Sequence, residues 1–262
     1  MTAPRRHRSR REAAGLKRGL SLEIANGVAW LRLERPAARN RITVDLAQAL
    51  CDAAEAIELD DRVRLVVLSA SGPSFCAGVE DAGEWEQCID WVEAIAHVTP
   101  PVIAAIQGDA IAEGFELALA CDLRLVSTKA RFALPYLAEK RLPSHGATQR
   151  LPRLVGRPRA LDLLLTGRVV RAREAEAIGV ATRVVPPGKL TAELDNMVRV
   201  LSAKGPIALR FAKEAVLKGG DLTLDQGIRL EEDLYVLLQT TRDRSEGICA
   251  FLDKRRPVFR GR

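Results

Sequence analysis

The stretch PVIAAIQGDAIAEGFELALACDLRLVS, residues 101–127, carries the order strand, loop, helix, strand. Val102–Ile106 is a short apolar run rich in β-branched and small residues, which reads as a strand covered on both faces. Residues 107–114 form a loop with two glycines, 115–122 read as a short apolar helix, and Leu123–Ser127 as a second strand. Strands that alternate with helices share a buried layer, so the core is expected to be α/β.

The same alternation extends outward from this segment. Toward the N-terminus, 63–70 (VRLVVLSA) reads as another buried strand. It is followed by the loop SGPSFCAGVED at 71–81 and a helix over 85–97. Upstream, 43–61 shows helical spacing through Leu46, Leu50, Ala53, Ala54 and Ile57 with Thr43 as N-cap, and 21–33 alternates around Asn26-Gly27 as a hairpin. Toward the C-terminus come a short strand near 131–134, helices at 144–155, 157–165 and 171–179, and a strand at 180–185. Past Pro186-Pro187-Gly188, helices at about 189–203, 206–218, 223–240 and 243–254 follow with no strand between them. Their apolar stripes must lie on the core or on another subunit. The chain therefore divides into a basic, disordered tail (1–20), an α/β core (21–187) and a helical C-terminal region (188–262).

With 262 residues, 47% hydrophobic and 28% charged, this is a globular composition. The formal charge of +6 is misleading as a sign of nucleic-acid binding. Arg5, Arg6, Arg8, Arg10, Arg11, Lys17 and Arg18 against the single acid Glu12 account for the whole excess, which leaves the body neutral. No apolar run is long enough to span a bilayer. Cys51, Cys76, Cys88, Cys121 and Cys249 show neither C-x-x-C spacing nor a disulfide framework, so reduced thiols and a cytoplasmic location are expected. The Arg-rich start also fits an organellar transit peptide.

Glu116 is a carboxylate on an otherwise apolar helix, flanked by Phe115, Leu117, Leu119 and Cys121. Two readings suit it: an acid favoured at the first turn by the helix dipole, or a general acid/base in an apolar cleft. The loops at 76–79 and 110–114 each follow a buried strand. Their backbone amides can serve as ordinary turn elements or converge on a developing oxyanion.

Six ordered segments, RP-x-x-x-N at 35–40, SFCAGVED at 74–81, the 101–127 stretch, RFALPYLAEKRLPSHGATQRLPRLVG at 131–156, LLLTGRVVRAREAEAIGVATRVVP at 163–186 and EGICAFLDKRRPVF at 246–259, resemble the enoyl-CoA hydratase/isomerase (crotonase) family. The resemblance implies an α/β, crotonase-like spiral of ββα units with a helical C-terminal trimerisation region. It implies an acyl-CoA thioester substrate, no cofactor beyond the CoA moiety, and a homotrimer or dimer of trimers, with no membrane or nucleic-acid partner. Carried over residue by residue, it places oxyanion-donating backbone N–H groups on Val79 and Glu113, with Ala77, Gly78, Glu80, Asp81 and Gly114 beside the substrate. The first catalytic glutamate falls on Glu116.

The family's second glutamate position falls on Tyr136, after Pro135, and Ala112-Glu113-Gly114 stands where three glycines are common. A need for φ > 0 at Glu113 would strain it. Its side chain either turns to solvent or shares a proton with Glu116 three residues on. Ser144 and His145 fall near the acyl group, or else cap and open the following helix. Phe251 and Lys254 match an aromatic and a basic residue presented to a neighbour's CoA, or else simply end a basic helix. Hydration is the commonest activity implied, whereas one-base isomerisation suits a lone Glu116. The rival reading is a catalytically impaired binding protein of the same fold whose Arg-rich tail engages RNA or acidic partners.

Overall fold

The computed structural model describes residues 12–17, 19–80 and 90–262. Strands β1 (Glu12–Lys17), β2 (Leu20–Ala25), β3 (Val28–Leu33), β4 (Leu65–Ala70), β5 (Val102–Ile106), β7 (Leu123–Ser127) and β10 (Arg183–Val185) lie side by side in that order as a seven-stranded sheet. The first three pair antiparallel, and from β3 onward the pairing is parallel. Asn26 (φ 54°) and Gly27 (φ 78°) make the β2–β3 turn, the left-handed pair that a two-residue hairpin requires. A second sheet of three short strands joins β6 (Ala110–Ile111), β8 (Arg131–Ala133) and β9 (Val170–Arg171).

Both faces of the main sheet are covered, as its continuous apolar strands require. Val66 and Leu68 of β4 and Val102, Ala104 and Ile106 of β5 face one core, where α1 (Val44–Glu58) lays down Leu46, Leu50, Ala53 and Ile57. The alternate residues Leu65, Val67, Ile103 and Ala105 face the other, covered by Leu194 and Met197 of α7 (Leu190–Ser202). A period of two along the strands thus feeds two separate layers. Thr43 caps α1 by accepting from the Leu46 N–H at 3.2 Å.

The sequence reading starts the fold at residue 21, and the structure starts it earlier. β1 falls inside the segment read as a disordered tail and pairs antiparallel with β2, Glu12 opposite Ile24 and Ala14 opposite Leu22. The free edge of β2 offers unpaired backbone groups that an extended segment satisfies without an apolar sequence. Of the helix expected over 85–97, Trp91–Ala96 (α2) is helical, and residues 85–89 lie outside the described residues. Beyond β10, α7 is followed by α8 (Pro206–Gly219), α9 (Leu224–Gln239) and α10 (Arg242–Leu252), the strandless region expected. No helix among the described residues is long and apolar enough to cross a membrane.

Candidate active site

The two glycine-containing loops meet. A parallel bridge joins Cys76 to Ala110, the Cys76 N–H donates to the Asp109 carbonyl at 3.0 Å, and the Ile111 N–H returns a bond to the Cys76 carbonyl at 3.0 Å. The approach is so close that a Cβ on Gly114 would stand 2.1 Å from the Cys76 carbonyl oxygen, which only glycine avoids. Ile42 pins the far side of the first loop, donating to the Gly78 carbonyl at 2.9 Å. Val79 is thereby held opposite the start of α3 (Glu113–Ala120), a helix whose eight residues are all buried.

The left-handed residue at this junction is Ala112, with φ 51° and ψ −122°, and Glu113 is helical. The strain expected at Glu113 therefore sits one residue earlier, because the chain must reverse before the first turn of α3 can begin. As first residue of the helix, Glu113 has an N–H without an intrahelical acceptor.

Glu116 is fully buried. Its Oε1 accepts from the backbone N–H groups of His145 (3.0 Å) and Ala147 (2.9 Å), and its Oε2 accepts from the Tyr136 hydroxyl. Three donors thus satisfy the oxygens of a carboxyl group buried in apolar surroundings. Burial, with the charges of Glu116 and Glu113 adding to it, pushes the Tyr136 phenol far above its ordinary range. Tyr136 is thus a fixed donor and no base.

Glu113, 1% exposed, is neither turned to solvent nor bonded to Glu116. Its Oε1 accepts from Arg141 at 2.5 Å, and its Oε2 accepts from the Val79 N–H at 3.2 Å. The Arg141 guanidinium also lies 5.2 Å from the Tyr136 ring centre, a cation–π distance. Arg141 has no motif to announce it. The only signal is the basic pair Lys140-Arg141 in the loop between Tyr136 and His145.

Ser144 is exposed and caps nothing. Helix α4 (Ala147–Val155) starts from Gly146 at φ 95°, because the turn that aims the His145 and Ala147 amides at Glu116 needs a left-handed residue between them. His145 accordingly stands before the helix rather than in its first turn. Its ring lies 5.3 Å from Trp91, and the buried His145 Nδ1 and Trp91 Nε1 have no hydrogen-bond partner among the described residues.

Of the other expected contact residues, Ala77 and Gly78 belong to the pinned loop, and Glu80 is ion-paired with Arg35 at 2.7 Å. Asp81 lies outside the described residues. Phe251, in the last turn of α10 (Arg242–Leu252), and Lys254, just past it, are exposed and, among the described residues, are not joined to the Glu116 cluster by hydrogen bonds or ring contacts.

Residues 23–262 match the family model described as enoyl-CoA hydratase/isomerase. Crotonyl-CoA hydratase of Syntrophomonas wolfei is 36% identical over 252 residues, covering 91% of this chain and 96% of that one. (E)-Benzylidenesuccinyl-CoA hydratase of Thauera aromatica is 34% identical over 253 residues, covering 92% and 99%. The crystal structure of an enoyl-CoA hydratase from Bacillus anthracis superposes with a TM-score of 0.88 at 34% identity, over 94% of this chain and 100% of that one. A match that runs from β2 to the C-terminus, in sequence and in fold alike, means that the chain belongs to the enoyl-CoA hydratase/isomerase family.

Proposed function

We propose that this acyl-CoA enzyme adds water across the double bond of a 2-enoyl-CoA, with Glu116 as its acid/base and the N–H groups of Val79 and Glu113 as oxyanion donors. Conjugation with the thioester makes the β-carbon electrophilic. As water attacks it, Glu116 takes a water proton and charge develops on the thioester oxygen. The enolate then collapses and the proton is delivered to the α-carbon, so that H and OH are added overall. Amides held rigidly by the Cys76–Ala110 bridge stabilise that oxygen without reorganising. The observation that carries the reading is the buried Glu116 carboxylate, held by three donors beside those amides. No group beyond the CoA moiety is required.

One-base isomerisation, in which Glu116 moves a proton between the α- and γ-carbons, is the second reading. It is favoured by Tyr136, which donates to Glu116 where a two-glutamate hydratase places another carboxylate. The rival of a non-catalytic binder is not favoured by a family match over residues 23–262.

We further infer a trimer or dimer of trimers, supported by the exposed Tyr235, Val236, Phe251 and Leu252 of α9 and α10, in which Phe251 and Lys254 face a neighbour's CoA. The free Cys51, Cys76, Cys121 and Cys249 support a cytoplasmic location. Incubation with a panel of 2-enoyl- and 3-enoyl-CoA thioesters and mass detection of the products tests the chemistry. Gain of one water from the 2-enoyl series is expected. Interconversion at unchanged mass would replace hydration by isomerisation, and no conversion of either would overturn both.

A further inference from the structure

The Val79 N–H, an oxyanion donor on the reading above, is already in use. It donates to Glu113 Oε2 at 3.2 Å, and the other oxygen of that carboxylate is held by Arg141 at 2.5 Å. We propose that the Glu113 carboxylate is an internal ligand of the oxyanion hole, clamped by Arg141, and that an acyl-CoA binds by exchange with it. The proposal rests on the functional reading above and assigns Glu113 and Arg141 a role in setting thioester affinity that needs only their side chains.

Three observations carry it. First, the donor cannot step aside: the Gly78 carbonyl accepts from Ile42, the Glu80 N–H donates to the Ile42 carbonyl, and the Cys76 N–H is tied to Asp109, so the backbone on both sides of Val79 is fixed. Second, there is no room for both ligands. The Val79 N–H carries one hydrogen, already given to Glu113 Oε2, which lies so near the loop that a Cβ at Gly78 would stand 2.8 Å from it, so a carbonyl oxygen directed at that hydrogen takes the place of the carboxylate oxygen. Third, the released carboxylate has somewhere to go. Glu113 is buried, but the Arg141 side chain is 31% exposed, and the pair can swing outward together without either charge losing its partner.

The chemical consequence is a selection. A neutral thioester oxygen is a weaker acceptor than the carboxylate it displaces, whereas an oxygen that carries enolate charge competes with it far better. Ground-state affinity is therefore held down by the chain itself. Removing the internal ligand should tighten thioester binding, a gain that loss of a merely structural side chain does not produce.

The test measures dissociation constants of saturated acyl-CoA thioesters, from acetyl-CoA to decanoyl-CoA, and of free CoA. The proteins are the intact wild type, Glu113→Ala, Glu113→Gln and the double variant Glu113→Ala/Arg141→Ala. Glu113→Ala should bind the best thioester about 10- to 100-fold more tightly, the value of one charge-assisted hydrogen bond, and Glu113→Gln, which keeps a neutral acceptor, by less. The double variant removes both charges and should retain the gain even if the lone Arg141 of the single variant impairs folding. Free CoA has no carbonyl to place and should bind all four alike. Equal tightening of free CoA would assign the effect to the unmasked Arg141 charge and overturn the exchange. Unchanged or weaker thioester binding in every variant, with a binding wild type, would overturn it as well. Failure of all four proteins to bind any thioester would sink the functional reading and the exchange with it.

Discussion

Three donors from distant parts of the chain converge on the Glu116 carboxylate inside an apolar helix. Glu116→Gln preserves the shape but cannot accept a proton, and turnover of the best enoyl-CoA should fall about 10²–10⁴-fold with little change in acyl-CoA affinity. Steady-state kinetics beside a binding isotherm check this, and an unchanged rate would remove Glu116 from the mechanism. The cysteines give an independent chemical readout of burial. Burial pushes the thiols of Cys76 and Cys121 up to about 12, so neither offers thiolate near neutrality. Iodoacetamide at pH 8 followed by peptide mass analysis should modify exposed Cys249 readily, and Cys76 and Cys121 only after denaturation.

The junction between β6 and α3 joins strain to function. Ala112 occupies a backbone conformation that glycine adopts freely and an L-residue does not, at a cost of about 1–3 kcal/mol. Ala112→Gly should relieve part of it and raise unfolding stability by about 1 kcal/mol, after the unfolded chain's added entropy is set against the gain. Urea titration reads this directly, and lower stability would show that the Ala112 methyl packs better than its backbone strains. Gly114→Ala acts in the opposite sense. Its new Cβ collides with the Cys76 carbonyl, which is backbone and cannot rotate away. We expect a loss of about 1–3 kcal/mol by the same titration, together with a fall in activity as the loops bearing Val79 and Glu113 are forced apart.

Helices α8–α10 leave Val216 (75% exposed), Leu224 (79%) and Phe251 (83%) uncovered in the single chain. In the proposed assembly these are the side chains that a neighbouring subunit covers. Sedimentation of the purified protein should give three or six times the 28.6 kDa chain mass, and a concentration-independent monomer would contradict the assembly and the intersubunit placement of Phe251 and Lys254. Phe251→Asp puts a charge on that surface and should shift the distribution toward smaller species, while the core between α1 and the main sheet, which Phe251 does not touch, stays folded by circular dichroism.

What the sequence determined by itself was whatever has a local period or a local cap. Continuous apolar runs marked β4 and β5 as buried strands, Thr43 and the spacing through Ile57 set α1, Asn26-Gly27 set the hairpin, and six ordered motifs carried the family likeness. Two-residue strands such as β6 and β9 have no period to read, and β1 is a strand because β2 has a free edge rather than because of its own composition. At the site, the position of Glu116 on a buried helix was legible, but its donors and the partners of Glu113 were not. Glu116 meets the Ala147 amide across 31 residues, and Glu113 meets the Val79 amide across 34. Where the left-handed residue falls, at Ala112 and at Gly146, likewise follows from which amides must face which carboxylate. Those contacts exist only once loops far apart in the chain are pressed together by the sheets beneath them, so tertiary packing alone decided that the Glu113 carboxylate meets the Val79 amide with Arg141 behind it.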